Sequence, residues 1–81
     1  MKRKIKKVNG RAYLVENEKT IEVRTDERLG KLLREKYESV MESRYFGKGG
    51  IEIVRAGKQL SESEIEDLIR LSRDLTEVLE D

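Results

Sequence analysis

The chain has 81 residues, 43% of them charged, and 18 Lys and Arg nearly balance 17 Asp and Glu to leave a formal charge of +1. That length suits one domain with one small core. Cysteine and histidine are both absent, which excludes disulfides, Cys/His zinc sites and any mechanism that rests on a thiolate or an imidazole.

The first eleven residues carry Lys2, Arg3, Lys4, Lys6, Lys7 and Arg11 and no acid. Ile5 and Val8 mark this stretch as a short first strand ending at Asn9-Gly10. That dipeptide favours a type I′ hairpin turn, which needs positive φ at both central residues. Arg11 to Glu16 returns as a second strand, apolar on both faces through its middle. A polar turn at Asn17-Glu18-Lys19 leads to a third strand over Thr20 to Arg24. There Ile21 and Val23 point one way, Glu22 and Arg24 the other.

Thr25 or Asp26 caps a helix predicted over residues 26–37, with Asp26 and Glu27 at the positive end of its dipole. Leu29, Leu32 and Leu33 form its apolar stripe; Tyr37 and Val40 continue the same spacing, but Lys36 falls in the middle of that face. Residues 42–50 (Glu-Ser-Arg-Tyr-Phe-Gly-Lys-Gly-Gly) read as a mobile loop, and Ile51 to Val54 as a fourth strand. Ser61-Glu62-Ser63-Glu64 is a capping box that opens the last helix. Its apolar positions are Ile65, Leu68, Ile69, Leu71, Leu75, Val78 and Leu79, with Ser72 inside the same face. A small residue there admits a neighbouring backbone, or its hydroxyl bonds back to the carbonyl one turn earlier. The order β-β-β-α-β-α predicts an α+β fold, a four-stranded antiparallel sheet with two helices on one face.

Four stretches, in this order and spacing, resemble the MmcQ/YjbR-like family. They are Val8-Asn9-Gly10-Arg11-Ala12-Tyr13, Ile21 to Arg24 running into the helix of Leu29 to Tyr37, Gly47-Lys48-Gly49-Gly50-Ile51, and Leu68-Ile69-Arg70-Leu71-Ser72. The chain departs from the family in lacking its N-terminal helix and in carrying Gly49 and Gly50 where the family has a His-Trp pair. The resemblance implies the fold, and it implies DNA binding by similarity of fold rather than an established activity.

Charge is polarised along the chain. Against the basic head, residues 62–81 hold eight acids and only Arg70 and Arg73. A basic cluster is what holds a polyanion, because each neutralised phosphate releases counterions. Lys2, Arg3, Lys4, Lys6, Lys7 and Arg11 are therefore candidate phosphate contacts to DNA or RNA. The opposing reading is a solvated edge strand whose lysines block aggregation. In the second candidate segment, Arg44-Tyr45-Phe46-Gly47-Lys48-Gly49-Gly50, aromatics stand beside cations and glycines, as in a stacking platform, and Arg44, Tyr45 and Lys48 are its candidate contacts. Here the opposing reading has Tyr45 and Phe46 closing the core. The broad apolar face of the last helix is a candidate homodimer surface, or simply the face that packs on the sheet. Carboxylates such as Glu62 and Glu66 read as a solvated helix start rather than a metal site.

No Ser-centred nucleophile motif is present, so the expectation is a non-enzymatic protein without cofactor or metal. No apolar run approaches the ~18 residues of a membrane span, and the basic N-terminus lacks the apolar segment of a signal peptide. The expected setting is the cytoplasm. Few amides and many ion-pairing residues suggest a thermophilic source.

Overall fold

The computed structural model describes residues 3–79. The chain folds as α+β. Its strands are β1 (Lys4–Val8), β2 (Arg11–Glu16), β3 (Thr20–Arg24), β4 (Val40–Ser43) and β5 (Gly47–Val54). The helices are α1 (Glu27–Lys36) and α2 (Glu62–Glu77), with a 3-10 turn at Arg55–Gly57. One antiparallel sheet of five strands runs in the order β1-β2-β3-β5-β4.

The expected count of four strands is corrected to five, because residues 42–50 are the tip and inner arm of a hairpin rather than a mobile loop. Val40, beyond the helix expected over residues 26–37, opens β4. The strand expected from Ile51 begins at Gly47. The basic first strand is part of the sheet, at its edge. Asn9 and Gly10 both have positive φ, 51° and 78°, as the β1–β2 turn demands.

Local chemistry sets the helix ends. Asp26 caps α1, its carboxylate accepting the Leu29 N–H at 2.7 Å. Ser61 and Glu64 form the reciprocal capping box of α2. Backbone and side-chain hydrogen bonds from Ser61 hold the Glu64 carboxyl below the usual carboxylate range, so this cap stays ionised through mildly acidic pH.

Alternation gives the sheet two different faces. Leu14, Ile21, Val23, Val40, Ile51 and Ile53 form the core on one of them. Leu33 and Tyr37 from the α1 segment and Ile65, Leu68 and Ile69 from α2 pack against that cluster. Helix α2 lies over β1, β2 and β3, and α1 over β4 and β5. No helix among the described residues is long and apolar enough to cross a membrane.

A bulge alters the pattern in β2. Lys6 pairs with Leu14 but Lys7 pairs with Ala12, so Tyr13 is the extra residue. Tyr13 joins Leu14 against the core, which explains why β2 looks apolar on both faces in sequence. The bulge ends the β2–β3 ladder at Leu14–Val23. Ser72 fills the gap beyond it. Its hydroxyl accepts the Arg24 N–H at 2.9 Å and donates to the Tyr13 carbonyl at 2.7 Å. Ser72 therefore bonds across to the sheet rather than back along its own helix.

Candidate nucleic-acid interface

Among the described residues, no helix lies on the second face of the sheet. Register puts Ile5, Val15, Glu22, Glu52 and Met41 in one row across it. By alternation Arg3 and Lys7 share this face with Ile5, and Arg24 shares it with Glu22. The β4–β5 turn, Arg44 to Phe46, folds over the same surface.

That turn is held by the carboxylates beneath it. Glu22 and Glu52 are directly opposed on β3 and β5 and are only 4% and 3% exposed. Like charges facing each other across strands are unfavourable unless each finds a partner. Glu52 takes both the Nε and an Nη of Arg44, at 3.1 and 3.2 Å. The pairing raises the already high pKa of the guanidinium. Glu22 Oε1 accepts the Ser43 hydroxyl at 2.8 Å and the Tyr45 N–H at 2.9 Å. The Ser43 oxygen in turn accepts the Tyr45 and Phe46 N–H groups, and Gly47 leaves the turn at φ 64°.

The aromatic pair sits on this platform. Tyr45 and Phe46 meet edge to face, with centroids 4.9 Å apart. The Arg3 guanidinium lies 5.9 Å from the Tyr45 centroid, and that of Arg24 lies 5.0 Å from Phe46. Arg24 is fixed from behind, donating through Nε and Nη2 to the Ala12 carbonyl. Ala12 is also the register partner of Lys7, so these two cations flank one site. Gly50 makes room for Phe46: a Cβ on it would lie 2.5 Å from the Phe46 Cβ and 2.7 Å from the Val23 carbonyl oxygen. Phe46 therefore closes no part of the helix-side core, contrary to the core-closing reading. It covers the sheet's other face, under Arg24. Tyr45, 44% exposed, is the ring most open to solvent.

The candidate residues thus divide. Arg3, Lys7, Arg44 and Tyr45 are gathered on the helix-free face. Lys4 and Lys6 alternate to the helix side, where Lys4 pairs in register with Glu16 and lines a cleft with Glu16 and Arg55. Arg11 pairs with Val8 at the β1–β2 turn, and Lys48 is exposed in β5 beside α1. Lys2 lies outside the described residues. Arg24 and Glu22 join the site although the sequence singles out neither, while Phe46 belongs to the candidate segment 44–50. The available signal was the alternation of Thr20 to Arg24, which sets Glu22 and Arg24 on the side away from the core.

The two helices differ in charge, α1 holding four cations against two acids. Within α2, six acids oppose two arginines, while the helix-free face presents Arg3, Lys7, Arg24 and Arg44 around two glutamates that are already hydrogen-bonded. Searches of protein-family models, of curated proteins and of solved structures found no match to this chain.

Proposed function

We propose that the protein is a non-enzymatic binder of single-stranded nucleic acid, DNA or RNA, which crosses the helix-free face of the sheet. The observation that carries this reading is the pair of cation–aromatic stacks, Arg3 on Tyr45 and Arg24 on Phe46, on a face with no helix over it. Rings give unpaired bases a surface to stack on, while Arg3, Lys7 and Arg44 take phosphates. A duplex fits poorly, because its grooves admit a helix or a narrow ribbon and the long helix here is acidic. The YjbR-like resemblance, with its implied DNA binding, points the same way.

A second reading, homodimerisation through α2, draws on the exposure of Leu71 and Val78. Ile65, Leu68 and Ile69, also on its apolar face, pack on the sheet instead, so the geometry favours the first.

Fluorescence anisotropy on labelled single and double strands at two salt concentrations tests the proposal. Single strands are expected to bind more tightly, with affinity falling as salt rises. Tyr45→Ala should weaken single-strand binding by about 1–3 kcal/mol through loss of stacking. Equal affinity at both salt concentrations, or a preference for duplex, would contradict it.

A further inference from the structure

Arg3, Asn17, Glu22 and Arg44 line a cavity of about 360 Å³ on the helix-free face. Its polar groups are set unevenly. Glu22 Oε1 is occupied by Ser43 and Tyr45, and among the described residues nothing bonds Oε2. Asn17 Oδ1 is occupied by the Lys19 and Thr20 N–H groups and the Thr20 hydroxyl. Its Nδ2 has no partner among the described residues. The lining therefore combines the free Oε2 of a carboxylate that is 4% exposed, an amide donor and two guanidinium groups, with the Tyr45 ring under Arg3.

We propose that this cavity reads one base of the bound strand and selects guanine. The inference rests on the single-strand reading above. A carboxylate only accepts hydrogen bonds. Guanine alone offers the free Oε2, with its two lone pairs, two adjacent donors, the N1 imino and the 2-amino group, with the O6 acceptor beside them for Asn17 Nδ2 or an arginine. Adenine and cytosine offer one amino group next to a ring-nitrogen acceptor. In uracil the single imino donor is flanked by two carbonyls, whose lone pairs face those of the carboxylate. The expected order is guanine, then adenine and cytosine, then uracil. Oε2 opens to the cavity, and a base that displaces the solvent there without offering a donor leaves the carboxylate unpaired, which is what makes such a site discriminate.

The test is anisotropy on short labelled oligouridines carrying guanine, adenine, cytosine or uracil at one central position, with inosine as a fifth probe. The guanine strand should bind about tenfold more tightly than the all-uridine strand, as a good two-bond contact gives. Inosine, which lacks the 2-amino group, should lose most of that gain. In Glu22→Gln, Ser43 and Tyr45 both donate toward Oε1, so the side-chain carbonyl keeps that place and the amide NH₂ turns to the cavity. A donor then replaces an acceptor, and the guanine preference should vanish or invert toward uridine. Equal binding of all five wild-type strands would overturn the selectivity while leaving the single-strand reading standing. An unchanged guanine preference in a folded Glu22→Gln protein would do the same, and the inosine comparison decides the matter without any variant. Failure of every strand to bind at low salt would overturn both.

Discussion

Ser72→Ala should destabilise the protein by about 2–4 kcal/mol, because two part-buried backbone groups lose the hydroxyl that bridges them. Ser72 is completely buried, and its hydroxyl joins the Arg24 N–H to the Tyr13 carbonyl. The bulge at Tyr13 removes the ladder bond that would otherwise serve these groups. A methyl side chain offers neither a donor nor an acceptor, and the space is too enclosed for water to substitute freely. In a denaturant titration the midpoint should fall with the slope unchanged. A loss below ~0.5 kcal/mol, the ordinary scatter of a surface change, would mean that α2 does not seat on the sheet as described. The effect reaches the site as well, since the same residue anchors the backbone from which Arg24 extends to Phe46.

Neutralising Arg3, Lys7 and Arg44 together should reduce the dependence of log K on log salt by about 2, at ~0.7 per phosphate contact on a single strand. Arg44→Gln keeps a donor for Glu52, so the β4–β5 turn should survive the change. Neutralising Lys4 and Lys6 is the control for position, to be compared with the double neutralisation of Arg3 and Lys7. Lys4 and Lys6 lie on the same edge strand but alternate to the helix side, so the salt slope should change far less. The two double variants differ in position more than in charge. If they weakened binding equally, the basic strand would be acting as a diffuse cation, not as one rim of a defined face.

What the sequence discloses about this fold is what short-range chemistry determines. Asn9-Gly10 needs only its own dihedral preferences to make a turn, Ser61 and Glu64 need only each other to cap α2, and Ile21 and Val23 alternate within five residues. The β4–β5 hairpin is different. Its turn depends on Ser43 and Tyr45 meeting Glu22, more than twenty residues earlier. Gly50 looks like loop material until Phe46 is found packed on it. The bulge at Tyr13 and its repair by Ser72 join residues 59 positions apart.

The candidate site was legible to a similar depth. Arg3, Lys7, Arg44 and Tyr45 stand out as charged or aromatic residues in suggestive local company. Their convergence, the exclusion of Lys4 and Lys6, and the inclusion of Arg24 and Phe46 all follow from strand register. Register is a property of pairing, and no single segment carries it.

The most direct test of the central claim is a titration of the isotopically labelled protein with a short single-stranded oligonucleotide, followed amide by amide by NMR. The account predicts that the largest shifts map to Ile5, Lys7, Glu22, Arg24 and residues 44–46, with the exposed side of α2 unchanged. Shifts confined to α2, centred on Leu71 and Val78, would contradict it and place the binding surface on the helical side.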